Sequence, residues 1–219
     1  MGADPNLVTE SLEILLDRDE HDEPATREQL RTALRAEPGA IDAAVDELCA
    51  AGGLEERDGT LRLTEVGRER AAVAVRRHRL TERLLLDVIG LDWWKVHHEA
   101  ERWEGVISEE VEKQLVEVLG DPGTCPHGNP IPGSANRPTH PDAVRLDHAP
   151  LGPVHVVRIT EELEADDEAL RLLERCGFIP GRDAELLAAA GQAGVEVAGS
   201  VADATLPPHV AAQTYVAPR

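Results

Sequence analysis

Apolar positions in the first 64 residues recur at helical spacing and then switch to alternation. Within residues 6–18 (NLVTESLEILLDR) they fall at 7, 8, 12, 15 and 16, one face of a helix. The acidic, Pro-containing run DRDEHDEPA follows as a loop. Thr26 is placed to cap a short helix over TREQLRTALRA (26–36), whose apolar positions are Leu30 and Leu34. A turn, EPG, leads into AIDAAVDELCAAGG (40–53), apolar at 41, 45 and 48 and stopped by its Gly pair. LEERDGTLRLT (54–64) alternates and folds back at Asp58-Gly59, a hairpin signal. Three helices, a tight turn before the third, and a two-stranded wing make the winged helix-turn-helix order, expected over residues 1–64.

Helical periodicity then returns. Thr64 caps a long helix reaching about residue 89, and residues 92–104 and 107–119 read as two more, giving a helical domain over 65–120. DPGTCPHGNPIPGSANRPTHPD is dense in Pro and Gly and reads as a linker over 121–142. From residue 143 to 219 short β-like runs appear (VRLDHAP, GPVHVVRIT, VEVAGS), interrupted by turns and one short helix, DDEALRLLERCG. That pattern suits a small SH3-like β-barrel. The fold class expected is mainly α with a small β portion.

Composition narrows the setting. The 219 residues carry a formal net charge of −20, and Lys occurs only at 95 and 113. An acidic, Arg-using chain suits a protein kept dispersed in very high salt, so a salt-loving source is expected. The excess acid lies in residues 1–25 and in the C-terminal third, whereas between Arg27 and Arg83 bases and acids nearly balance. A DNA-binding face in the first half is therefore admissible on charge. Cys49, Cys125 and Cys176 are far apart, with no C-x-x-C, which excludes a disulfide framework and a zinc knuckle and suits reduced thiols in the cytoplasm. The sequence shows no basic n-region followed by an apolar h-region and no apolar run long enough to span a bilayer, so no membrane role is expected.

The chemistry concentrates in HRLTERLLLDVIGLDWWKVHHEAERWE (78–104). His78 and Glu82 are i, i+4, and His97, Glu101 and Glu104 are i, i+4, i+7, so each set shares one helix face. Packed antiparallel, the two helices would bring five donors together. Imidazole with carboxylate suits a divalent first-row ion, manganese or iron rather than copper, and no thiolate is placed to select zinc. The other reading of the spacing pairs Glu82 and Glu101 with Arg79, Arg83 and Arg102 on solvated faces. No nucleophile sits near these residues and no Gly-rich phosphate cradle exists, so the chain is not expected to be an enzyme. Trp93, Trp94 and Trp103 read as core or dimer contacts, and His98 as a surface residue. Cys125 is not counted as a ligand, and His127, His140, His148, His155 and His209 are given no role.

The runs RRHRLTERLLLDVIGL, VHHEAERWEGVISEEVEKQL and HGNPIPG resemble the iron- and manganese-dependent repressors of the diphtheria-toxin-repressor family. The resemblance is dense from Leu63 to Gly133 and returns faintly in VVRITEELE. It implies the architecture already read: a winged helix, a helical metal-binding and dimerisation domain, and an SH3-like domain. It also implies two metal sites. An ancillary site would use His78, Glu82 and His97, completed by Glu161 and Glu164, and a primary site would use Glu10, Glu101 and Glu104. Gly105 stands where the family has a final His ligand. The cofactor implied is Mn2+, with Fe2+ close behind, and the function a homodimeric metal-dependent repressor of metal homeostasis bound to operator DNA.

One stretch departs from the family. The recognition helix, PGAIDAAVDELCA, is expected to expose Asp42, Ala43, Ala44, Asp46 and Glu47 in place of the family's Ser, Thr and Gln. Carboxylates near phosphates repel, so DNA would be gripped by Arg27, Arg31 and Arg35 on the preceding helix and by Arg57 and Arg62 on the wing. The alternative function is a metal-binding paralogue that acts through protein contacts, as a heterodimer with a related regulator.

Overall fold

The computed structural model describes residues 3–19, 25–191 and 194–219, so most of the expected acidic loop DRDEHDEPA lies outside the described residues. The chain divides into two compact units, residues 1–78 with 101–108 and residues 79–100 with 109–219. The segment expected as one helical domain, 65–120, thus contributes to both units.

In the first unit, α1 (Pro5–Asp19), α2 (Arg27–Ala33) and α3 (Pro38–Ala50) precede a hairpin of β1 (Leu54–Arg57) and β2 (Thr60–Leu63). Thr26 caps α2 as expected, within a reciprocal capping box with Gln29. Pro38 opens α3, where its missing N–H is no loss. The hairpin turns at Asp58 and Gly59, both with positive φ, the conformation that an Asp-Gly pair tolerates. Apolar side chains of α1, α2, α3 and the wing form one core, in which Leu12, Leu30, Ile41, Val45 and Leu61 are buried. Thr64 accepts from Gly67 N at the start of α4 (Glu65–Arg83). A Cβ at Gly67 would lie 1.8 Å from the Gly53 carbonyl oxygen, so the close approach of helix to wing requires glycine there.

In the second unit, the chain after Arg83 continues as one π-helical stretch, Leu84–Ile89, closed by Gly90 at positive φ. A 3₁₀ turn, Trp93–Lys95, leads into α5 (Val96–Glu104), and α6 is Glu109–Leu119. The expected linker is folded over much of its length: Cys125, His127, Asn129 and Ile131 are buried, and Cys125 N donates to Asn129 O. Arginines anchor it, because Arg79 donates to Pro130 O and Arg83 to Thr124 O and Cys125 O. Pro and Gly here shape a tight packed turn rather than a spacer.

The C-terminal part is a six-stranded antiparallel sheet in the order β3-β8-β4-β5-β6-β7. Its strands are β3 (Val144–Arg145), β4 (Gly152–Ile159), β5 (Asp183–Gly191), β6 (Gly194–Ala198), β7 (Asp203–Leu206) and β8 (Thr214–Pro218). The expected helix is α8 (Asp167–Cys176), capped by Asp166; α7 (Glu161–Glu164) and α9 (Pro208–Ala212) are short. The core runs from Trp93 through Val156, Leu170, Phe178 and Val197. This antiparallel sheet domain is consistent with the SH3-like expectation. No helix among the described residues is long and apolar enough to cross a membrane.

Candidate metal centres and the winged-helix surface

Among the described residues, one cluster of metal-ligating side chains lies wholly within each unit. In the first unit, Glu13 of α1, His78 of α4 and Glu104 at the end of α5 bring their donor atoms within 4.8 Å of one another. His78 Nδ1 lies 2.6 Å from Glu104 Oε2 and 3.8 Å from Glu13 Oε1. All three side chains are buried, at 3%, 0% and 6% exposure. Two buried carboxylates need positive charge close by. A proton on His78 would leave one negative charge over among these three groups, whereas a divalent ion beside neutral imidazole leaves none. The donor set, two carboxylate oxygens and one imidazole, fits a hard divalent ion such as Mn2+ or Fe2+.

This cluster shares Glu104 with the expected primary site and His78 with the expected ancillary site. Glu10 and Glu101 are half-buried and are not among its donors. Glu13 is three residues past Glu10, close to one helical turn, so both carboxylates share a side of α1. An ungapped count along the sequence fixes the face of α1 but not which of its two acids turns inward.

In the second unit, Glu82, Cys125, His127 and Glu164 bring their donors within 4.8 Å, and all are buried. His127 Nδ1 is 3.0 Å from Glu82 Oε1 and 2.9 Å from Glu164 Oε2. His97 Nδ1 approaches the same two oxygens at 3.5 and 3.1 Å. Two imidazoles thus face one pair of carboxylates, with the Cys125 thiol alongside. Glu161, expected as a ligand, is buried and accepts from Arg79 Nη2 at 2.9 Å.

The electrostatics suit a cation. For His127, burial is the largest influence and favours the neutral ring, but the Glu164 and Glu82 charges outweigh it and hold the imidazolium well above its usual range. Burial, with Glu82 and Glu164, pushes the Cys125 thiol up to about 12. The second nitrogen of His127, Nε2, is buried with no hydrogen-bond partner among the described residues. A divalent ion would displace the proton from His127 and draw the thiol to thiolate, satisfying groups that protons serve in its absence.

Surrounding groups fix the ligands. Asn129 Nδ2 donates to Glu164 Oε1 at 2.6 Å and to Ile159 O, while its own oxygen accepts from Arg158. Trp93 packs on His127 with ring centroids 4.7 Å apart and donates to Pro126 O. Such outer contacts hold ring and carboxylate orientation. Sequence reading gave no role to Cys125 or His127. The signal that could have found them is the Cys-x-His spacing inside a Pro/Gly-rich run, which turns both side chains to one side.

On the winged helix, Arg27 is clamped by three carboxylates, Asp42 at 3.0 Å, Asp46 at 2.8 Å and Glu56 at 2.8 Å. Arg31 pairs with Glu28 and Arg57 with Glu55. Arg62 stands opposite Glu55 in the hairpin, and Arg35 is exposed. The acids Asp42 and Asp46 of α3 are therefore partly neutralised by Arg27 of α2, the cation expected to meet phosphate, and Ala44, expected to be exposed, is buried in the core.

Comparison with known proteins gives a consistent picture. Residues 64–133 match the family model of the iron dependent repressor metal binding and dimerisation domain. The chain is 47% identical over 143 residues to the iron-dependent repressor IdeR of Mycobacterium tuberculosis, spanning 57% of this chain and 62% of that protein. It also resembles a solved manganese-dependent transcriptional repressor, 33% identical, across 83% of this chain and 96% of that one, with a TM-score of 0.68. A manganese-dependent transcriptional repressor in complex with manganese is 28% identical, with a TM-score of 0.83 over 97% of this chain and 100% of that one.

Proposed function

The chain belongs to the diphtheria-toxin-repressor family of iron- and manganese-dependent repressors, and on that premise we propose that it is a cytoplasmic, homodimeric, metal-dependent repressor that binds operator DNA. It is a regulator, not an enzyme. The observation that carries this reading is the burial of Glu13 and Glu104 against His78. Bound there, Mn2+ or Fe2+ would supply the charge that lets the two carboxylates stay buried.

Glu13 sits on α1, which packs on the recognition helix α3, and Leu12 of α1 and Val45 of α3 belong to one buried core. Tying Glu13 to His78 and Glu104 thus fixes the winged helix on α4 and on the end of α5. Metal binding favours that arrangement by its differential affinity for it. Arg35 and Arg62, together with the paired Arg31 and Arg57, are the cations left to grip phosphate, while Arg27 orders the acids of α3. The second cluster, Glu82, Cys125, His127 and Glu164 with His97 beside it, holds a second ion, and Glu161 acts there through Arg79. Dimerisation falls to the segment of 64–133, where Val88, Ile89, Val111 and Val118 are exposed apolar residues.

The test is Mn(II) and Fe(II) titration of the full chain, followed by selection of bound DNA from a random pool. Metal-dependent enrichment of one palindromic sequence is the expected result, lost in Glu13→Gln and Glu104→Gln. A second reading is favoured by the exposed Asp42, Asp46 and Glu47 of α3: a metal-binding regulator that works through protein contacts. Metal uptake with no enriched DNA would select it.

A further inference from the structure

The exposed polar side chains of the recognition helix α3 are Asp42, Asp46 and Glu47, all of them acceptors. Asp42 and Asp46 are i, i+4, so they share one face about 6 Å apart along the axis. Glu47 accepts from Ala3 N at 3.2 Å. The Arg27 guanidinium is turned inward. Its Nε donates to Glu56, its Nη1 to Asp42 O and Oδ1, and its Nη2 to Asp46 Oδ1 and Glu56 Oε2. These bonds engage every N–H it has. Each aspartate gives Arg27 one oxygen, and among the described residues nothing donates to the other. The two side chains stay 57% and 70% exposed. Arg27 thus fixes both carboxylates and leaves an acceptor on each for a partner.

Groove chemistry says which base such a face reads. In the major groove guanine and thymine offer acceptors, adenine sets its N6 donor beside the N7 acceptor, and cytosine offers the N4 donor. A carboxylate only accepts, so cytosine is its best partner. Repulsion between carboxylate and phosphate lowers affinity for every sequence alike and does not choose a base. Gly39, Ala40 and Ala43 keep the surroundings of the aspartates low, so a side chain as short as Asp reaches base edges. We propose that Asp42 and Asp46 set the operator sequence, each accepting from a cytosine N4 amino group. Arg27 is their positioning residue, and the exposed Arg35 and Arg62 are left to phosphate. Base pairs rise by about 3.4 Å, so the two cytosines fall within about two base pairs of each other in a half-site. The proposal rests on the reading that α3 docks on operator DNA.

The experiment is selection of bound duplexes from a random pool by the full-length protein with Mn(II), wild type against Asp42→Asn and Asp46→Asn. Both positions are exposed, so the fold tolerates the change. Asn both donates and accepts and pairs with adenine N6 and N7. The wild type is expected to enrich half-sites carrying the two cytosines. Each variant should turn one of them into adenine, preferred over cytosine by at least about fivefold. Arg27→Ala, which releases both carboxylates, should blur both positions, whereas Arg35→Ala should weaken binding to all sequences alike. An enriched operator whose bases stay the same in both Asn variants would overturn the inference and leave the repressor reading standing. Enrichment by the Asn variants but not by the wild type would show that the carboxylates only repel DNA, and overturns the inference as well. No enriched sequence from any of these proteins overturns both.

Discussion

The two clusters are built from similar side chains but differ in charge and softness. Glu13, His78 and Glu104 offer two carboxylates and one imidazole. Glu82, Cys125, His127 and Glu164 add a thiol, with a second imidazole from His97, and Asn129 and Trp93 close around them. Oxygen-rich sites favour hard ions; thiol-bearing sites favour softer ions such as Zn2+. On the proposed reading, the oxygen-rich first cluster would be the sensor and the thiol-bearing second one a clamp on the turn that carries Cys125 and His127.

The largest expected effect removes the sensor's charge. Glu13→Gln with Glu104→Gln should weaken Mn(II) binding at the first cluster by at least about 100-fold, read by calorimetry, with the second cluster's stoichiometry unchanged. Next comes the thiol. Cys125→Ser should cost the second cluster about 10- to 100-fold in Zn(II) or Co(II) affinity and remove the sulfur-to-cobalt absorption band, while Mn(II) at the first cluster is untouched.

Proton linkage gives the third effect. The His127 value is raised in the folded chain, so protonated His127 stabilises the metal-free fold fully below about pH 6.5. That contribution is lost as the pH climbs through the raised value. An ion must expel this proton, so affinity at the second cluster should rise by about tenfold per pH unit for each proton displaced. His127→Gln should flatten the slope by one proton, whereas the first cluster's profile stays as it is. The smallest effect lies on the surface. Arg27→Ala frees Asp42, Asp46 and Glu56, all partly exposed, and should cost about 1 kcal/mol or less in urea denaturation. If α3 reads DNA, the same change should weaken operator binding much more than it weakens the fold.

The winged helix was legible because its signals are local: helical periodicity in 6–18, Thr26 at a cap, Asp58-Gly59 at a turn. The sheet unit was less so. β5, Asp183–Gly191 (DAELLAAAG), is rich in Ala and Leu, which favour helix, and it is a strand because β4 and β6 pair with it on both sides. The 121–142 run was legible as turn-forming but not as packed, since its burial depends on Arg79 and Arg83 reaching it from far along the chain. The candidate sites divide in the same way. Glu82, His97 and Glu104 stood out by helical spacing, but Cys125 and His127 join them through a turn whose direction no periodicity encodes. Glu10 and Glu13 share a helix side, so pattern alone does not choose between them.

Crystals grown with MnCl2 and measured on both sides of the manganese absorption edge should show an anomalous peak among Glu13, His78 and Glu104, lost in the Glu104→Gln protein. The same three side chains seen together with no manganese peak between them would contradict a metal-sensing first cluster.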